Sequence, residues 1–163
     1  MKKDIWGPYF WTVLHCLTLR IKSECFQKER TTLINFILEI CDNLPCPSCA
    51  NHATYTLKRL NFKNVRTKEE MITCIFMMHN EANKRLKKKQ FDKTLLEDTY
   101  KTHNLQTLLI GYFNMNYKIK FAEKMMIYSS RRRLFLKRFL EYCKNNMDKF
   151  HIVLEDTDTV IKS

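Results

Sequence analysis

Glycine and proline are scarce in this chain: two glycines and three prolines are spread over 163 residues. A β-rich fold needs such residues at short intervals, because tight hairpins depend on the positive or fixed φ angles that they supply. The scarcity therefore predicts an all-α fold. The length suffices for one domain with a real core, whereas two full domains would be tight.

Apolar residues recur at helical spacing along most of the chain, and breakers divide them into helices. A first helix is expected after Trp6-Gly7-Pro8 and runs to about Lys22. A second is expected over about 28–43, where Pro45 stops it. Pro47 suits the first turn of a third helix, since its missing N–H would have no partner there.

The stretch Thr67-Lys68-Glu69-Glu70 fits a capping box and predicts the start of a fourth helix of roughly twenty residues. A short fifth helix is expected around Thr94 to Thr102. We therefore expect a helical domain over 1–104, a basic helical extension over 105–150 and a flexible acidic tail over 151–163 with Glu155, Asp156 and Asp158.

The formal net charge is +12. A positive field suits nucleic acid, an acidic membrane surface, an anionic cofactor or solubility, and charge alone does not choose among them. The lysines at 87–89 and the arginines at 131–133 could bind nucleic acid. No recognition motif for nucleic acid is present, so this partner is not favoured. The apolar stretch near the N-terminus is too short and too interrupted for a signal peptide or a transmembrane segment.

Cys46 and Cys49 form the one C-x-x-C pair, at the expected start of the third helix. The positive end of a helix favours the thiolate that attacks disulfides, and Pro47 stiffens the turn. Structural zinc would need a second ligand pair, and a thioredoxin-like site would need a preceding strand. These two alternatives are therefore less favoured but stay open, as does a structural pair with no redox role.

The segment "MHNEANKRLKKKQFD" (78–92) places His79, Asn83 and Lys87 near one helix face, with Asn80 and Arg85 close by. Taken alone, this polar strip is typical of a solvated helix end. Together with the cysteine pair, it favours a redox function.

Three motifs in this order resemble the Erv/ALR family of FAD-linked sulfhydryl oxidases: "WGPYFWTVLH" (6–15), "CPSC" (46–49) and "HNEANKRLKK" (79–88), followed by Tyr100. The resemblance covers about residues 5–102 and is greatest to the compact forms encoded by large DNA viruses. It implies a five-helix FAD-binding bundle that forms a homodimer. The lack of a recognisable signal sequence suggests folding in the cytosol, so the expected location is cytoplasmic, in the host cytoplasm or the virion if the chain is virus-encoded.

The resemblance also implies roles for individual residues. Cys46 would exchange with substrate thiols, and Cys49 would face the flavin and pass it the electron pair, which O₂ finally accepts to give H₂O₂. The residues expected to line FAD are Gly7, Trp11, His15, His79, Asn80, Asn83, Lys88 and Tyr100. No metal is expected.

The chain departs from many relatives in lacking a second, shuttle dithiol. The expected electron donor is therefore a separate small dithiol protein or a client protein itself. Cys16, Cys41 and Cys74 are expected in the core, whereas Cys25 and Cys143 are expected to be more exposed, with an intersubunit or shuttle role open to Cys143. The competing functions are a basic helical module that binds nucleic acid or protein, and a flavin-free thiol–disulfide exchanger.

Overall fold

A computed structural model describes residues 3–119 and 126–153, and the secondary structure of these ranges is helical apart from one isolated bridge. The all-α fold is confirmed. The helices are α1 (Lys3–Arg20), α2 (Ser23–Asp42), α3 (Pro47–Arg59), α4 (Lys68–Arg85), α5 (Leu96–Tyr100), α6 (Leu105–Lys118) and α7 (Met126–Asn146). Single 3₁₀ turns cover Phe62–Asn64, Lys93–Leu95 and Met147–Lys149. The acidic residues of the expected tail lie outside the described residues.

Two helix starts differ from the sequence expectation. α1 begins at Lys3, ahead of Pro8, because a proline in the second turn forfeits only one backbone hydrogen bond, near an exposed helix end. α2 begins at Ser23, since Phe26 and Glu29 are buried and continue its inner face. The capping box of α4 is confirmed: the Thr67 hydroxyl accepts a hydrogen bond from the Glu70 N–H at 3.1 Å.

α1 is the central helix, and it packs against α4, α5 and α6. Every residue from 13 to 20 on α1 is buried, so its second half is surrounded on all sides. α3 packs against α2 and α4. This arrangement places the start of α3, the first half of α1 and the end of α4 beside one another.

The segment after residue 104 shares the same core. α6 lies against α1 so closely that a Cβ at Gly111 would come within 3.0 Å of the Tyr9 ring. On α7, the rings of Phe139 and Tyr142 lie 5.1 and 4.9 Å from that of Phe36 on α2. The extension therefore covers parts of both α1 and α2.

The backbone at 149–152, which we call the strap, is tied to the end of α1. Lys22 N–H donates to the Lys149 carbonyl at 2.9 Å, and His151 N–H donates to the Arg20 carbonyl at 2.8 Å. Leu105 N–H donates to the Ile152 carbonyl at 2.9 Å. The strap thus connects the end of α1 with the start of α6.

Arg20 is a charged side chain with no exposed surface. Its guanidinium donates to the carbonyls of Tyr100 at 2.6 Å and Lys101 at 3.2 Å, and also to the carbonyl of Ile152 in the strap. A buried cation is tolerated when its N–H groups are hydrogen-bonded. Arg20 therefore joins the end of α5 to the strap.

We expect Arg20→Leu to lower the free energy of unfolding by roughly 3 kcal/mol, because the hydrogen bonds from the guanidinium to three carbonyls would be lost. Urea denaturation followed by circular dichroism measures this. Lys93→Ala is the control: it removes an exposed ion pair with Glu69 at 3.2 Å and should cost less than about 1 kcal/mol. Equal effects of the two changes would contradict the role assigned to Arg20.

Candidate active site

Cys46 and Cys49 form a disulfide at the start of α3. Cys46 is the N-cap residue, Pro47 occupies the first turn, and the backbone N–H groups of Cys49 and Ala50 both donate to the Cys46 carbonyl at 2.9 Å. The Cys46 sulfur lies 3.4 Å from the Ser48 hydroxyl oxygen. Both sulfurs therefore lie within the first turn of a helix, where the helix dipole favours a thiolate after reduction.

The segment that precedes this pair is the helix α2 and the short link 43–46, not a strand. The strand–turn–helix arrangement of a thioredoxin-like site is therefore absent from the described residues around the disulfide.

Cys49 lines an apolar pocket that is partly open to solvent. α1, α3 and α4 all contribute to its wall, which includes Gly7, Trp11, Ala53, Met78, Ala82 and Leu86. A Cβ on Gly7 would meet nothing within 4 Å, so the α1 backbone is open to the pocket there. Cys46 does not belong to this wall. The two sulfurs thus have different surroundings.

A stack of rings joins α1 to α4 beside the pocket. Trp11 and His79 are stacked with centroids 4.0 Å apart, and His15 Nε2 lies 3.0 Å from His79 Nδ1. On the other side of His15, the Tyr100 ring is stacked at 4.6 Å. Gly7, Trp11 and His15 are four residues apart and so share one face of α1.

Both histidines of this pair are held neutral. Burial, followed by the proximity of His79, lowers the pKa of His15 to about 3. Burial, followed by the charge of Lys88, lowers the pKa of His79 to about 4. In a neutral pair one ring nitrogen donates and the other accepts, so the contact is a single hydrogen bond.

The three remaining predicted residues have different positions. The Asn80 side chain donates to the Phe91 carbonyl at 2.9 Å and accepts from the Phe91 N–H at 2.7 Å. The Asn83 carbonyl accepts from the Lys88 N–H at 2.9 Å, while the Lys88 side chain is exposed. In this structure Asn80 therefore fixes the link after α4 rather than directing its amide into the pocket.

Sequence reasoning missed Phe91, whose ring lies 5.8 Å from that of His79. An isolated aromatic residue within the polar run "KKKQFD" was the available signal. It also gave no role to Arg85, which lines the Cys49 pocket.

These residues fit FAD. The pocket offers an apolar space beside the Cys49 sulfur. The neighbouring aromatic rings and imidazoles can stack on the flat ring systems of FAD. His15 Nδ1 is buried without a hydrogen-bond partner among the described residues, so the site retains an unsatisfied polar atom for a ligand. Lys88 supplies an exposed cation close to His79 for the pyrophosphate.

The other five cysteines are free thiols, and three of them, Cys16, Cys41 and Cys143, are buried. The expectation that Cys143 would be more exposed is wrong: it lies on the inner face of α7 and is 6% exposed. Burial raises the pKa of Cys16 to about 11, although Arg20 lowers it in part, and burial raises that of Cys143 to about 12. A shuttle thiol must be accessible, so this position does not suit Cys143.

These differences predict selective labelling of the reduced protein. Iodoacetamide at neutral pH should modify Cys46 and Cys49 at least tenfold faster than Cys16, Cys41 or Cys143, because buried thiols are protonated and shielded. Peptide mapping by mass spectrometry after timed quenching measures the rates, and labelling in denaturant provides the reference. A rate for Cys143 equal to that for Cys46 would contradict the buried position.

The neutral histidine pair predicts loss of stability in mild acid. The unfolded chain binds protons near pH 6.5 and the folded chain does not, so stability is complete above that pH and falls as the pH approaches 4. Each histidine contributes up to about 1.4 kcal/mol per pH unit. Urea denaturation at several pH values measures the slope, which His79→Asn should reduce and His103→Asn, at an exposed histidine, should not.

Comparisons with known proteins identify one family. The sequence profile of the Erv1 / Alr family matches residues 8–101. A FAD-linked sulfhydryl oxidase of African swine fever virus is 32% identical over 106 residues, which cover 65% of this chain and 88% of that protein. No solved structure matches the chain significantly.

A second relative comes from Invertebrate iridescent virus 3, and its description also names a FAD-linked sulfhydryl oxidase. It is 31% identical over 87 residues, which cover 53% of this chain and 59% of that protein. The profile match spans the disulfide, the histidine pair and Tyr100, and it includes more than half of the chain. The chain belongs to the Erv1 / Alr family.

Proposed function

We propose that the protein is a FAD-linked thiol oxidase, which forms disulfide bonds in protein substrates and transfers the electrons to O₂ with formation of H₂O₂. The observation that carries this proposal is the position of Cys49: it lies in the wall of the same pocket as Gly7 and Trp11, beside the His15–His79 pair. The viral relatives named FAD-linked sulfhydryl oxidases support it.

The first half of the reaction uses only the chain's own sulfurs. A substrate thiolate attacks the Cys46 sulfur, the Cys46–Cys49 bond breaks, and Cys49 leaves as a thiolate. A second substrate thiol then loses its proton and attacks the substrate sulfur of the mixed disulfide, which releases Cys46. The substrate gains one disulfide, and the protein pair is reduced by two electrons.

The surroundings of the two sulfurs support the proposal that Cys46 is the sulfur attacked. Cys49 lines the apolar pocket, whereas Cys46 does not and lies beside the exposed Ser48. When bound, FAD would supply the two-electron redox chemistry that links the reduced cysteines to O₂. Trp11, His15, His79 and Tyr100 would hold its flat rings, and Lys88 would bind its phosphates. Asn80 would act by fixing the link that carries Phe91.

The immediate thiol donor is proposed to be a small dithiol relay protein or a client protein, because the sequence offers no second shuttle pair. We further propose a homodimer, to be measured by sedimentation, and a location in the host cytoplasm or the virion, as the viral relatives suggest. Among the described residues, no helix combines the length and apolarity required to cross a membrane.

The structure gives less support to the competing hypothesis that the protein binds nucleic acid through its basic clusters. The central residue of the arginine cluster at 131–133, Arg132, is buried and donates to the Asn43 carbonyl and the Asn116 side chain. The cluster therefore does not present three adjacent cations to a phosphate backbone.

We expect the purified protein to show the visible absorption of bound flavin and to consume O₂ with dithiothreitol as the only reductant. Cys46→Ser and Cys49→Ser should each reduce the rate at least 100-fold while flavin stays bound, because either change removes the dithiol. Cys25→Ser is the control and should retain the rate, since Cys25 is a free cysteine on α2.

An oxygen electrode measures these rates. Full activity of Cys49→Ser would refute the assignment of the pair. Turnover that requires an added oxidant, with colourless protein, would instead identify a flavin-free exchanger.

A further inference from the structure

We propose that Arg85 is a specificity-determining residue that binds a carboxylate of the substrate beside the reacting thiol. The preferred substrates are then cysteine peptides or protein segments with an acidic side chain next to the cysteine. This inference rests on the proposed function, because it names the substrate class that the Cys46–Cys49 pair oxidises.

The position of Arg85 is the first argument. It lies in the last turn of α4, and its Nη1 donates to the Ser48 carbonyl at 3.0 Å. Ser48 lies between the two cysteines, and its hydroxyl oxygen is 3.4 Å from the Cys46 sulfur. The guanidinium is thus held at the redox-active turn itself.

The unused donors of Arg85 are the second argument. A guanidinium has five N–H groups, and the bond to Ser48 uses one of them. The side chain is exposed, and no carboxylate within the described part of the chain forms a salt bridge with it. An arginine with a free edge binds a carboxylate in a bidentate manner, which a lysine does not.

The surrounding charges are the third argument. The first turn of α3 has no acidic residue, so a substrate carboxylate meets no like charge there. Glu81, one turn before Arg85 on α4, is paired with Arg59 at 3.0 Å. The exposed lysines at 87–89 follow and add a positive field that attracts acidic substrates over longer distances. The exposed side of the disulfide is therefore suited to an anionic partner.

A purely structural role for Arg85 makes a different prediction. If the guanidinium only held the Ser48 carbonyl, its removal would slow the oxidation of every thiol substrate by the same factor. A substrate-binding role changes the ratio of rates for acidic and neutral substrates. The ratio is therefore the decisive quantity.

The test uses two dicysteine peptides that differ only in Glu or Gln next to the cysteines. We measure kcat/KM from O₂ consumption at low ionic strength with the flavin-loaded full chain. The wild type should prefer the acidic peptide about tenfold, as expected for one charge-assisted pair. Arg85→Gln should reduce the preference to less than about twofold, and Arg85→Lys should give an intermediate value.

Lys84→Gln is the matched control. It removes one exposed positive charge from the adjacent position, which has no hydrogen bond to the redox turn among the described contacts, and it should keep the preference. Equal kcat/KM for the two peptides in the wild type would overturn the inference, as would a preference that survives in Arg85→Gln.

Dithiothreitol is an uncharged dithiol, so its oxidation tests the thiol oxidase activity independently of any carboxylate bound by Arg85. Its oxidation without any preference between the peptides overturns the inference on Arg85 alone. Absence of O₂ consumption with dithiothreitol overturns the proposed function, and the inference falls with it.

Discussion

The contact between α1 and α4 through two neutral imidazoles determines how the site is built. His15 and His79 meet at 3.0 Å, with Trp11 stacked on one ring and Tyr100 on the other. The separation tolerates one hydrogen bond but not two charges, and burial ensures neutrality by disfavouring the imidazolium. With this contact in place, the face of α1 that carries Gly7 and Trp11 lies against the end of α4. The first turn of α3, which carries the Cys46–Cys49 disulfide, then forms the third side of the pocket.

The segment beyond the family match supports that site from outside. The profile match ends at residue 101, yet Arg20 binds the carbonyls of Tyr100 and of Ile152 in the strap. In addition, Arg132 from α7 binds the carbonyl of Asn43, three residues before Cys46. Two buried guanidinium groups thus connect the extension to the end of α5 and to the link that precedes Cys46.

The sequence predicted those features that depend on local chemistry. Scarce glycine and proline indicated helices, the capping box located the start of α4, and Pro47 placed the cysteine pair at a helix start. The spacing of Trp11 and His15 gave one face of α1 because helical periodicity is a local property.

Contacts between distant parts of the chain were not predictable in this way. Arg20 and Ile152 are 132 residues apart, and no local pattern relates them. The burial of Cys143 depends on how α7 packs, and the role of Asn80 depends on where the following link returns to α4. The open donors of Arg85 became visible only when its one hydrogen bond, to Ser48, was located.

The strap also has a consequence for biosynthesis. α1 leaves the ribosome long before residues 149–152 are translated, so during synthesis the Arg20 side chain lacks one of its three carbonyl partners and the end of α1 lacks its backbone contacts. The native arrangement around Tyr100 is therefore completed only after most of the chain has emerged.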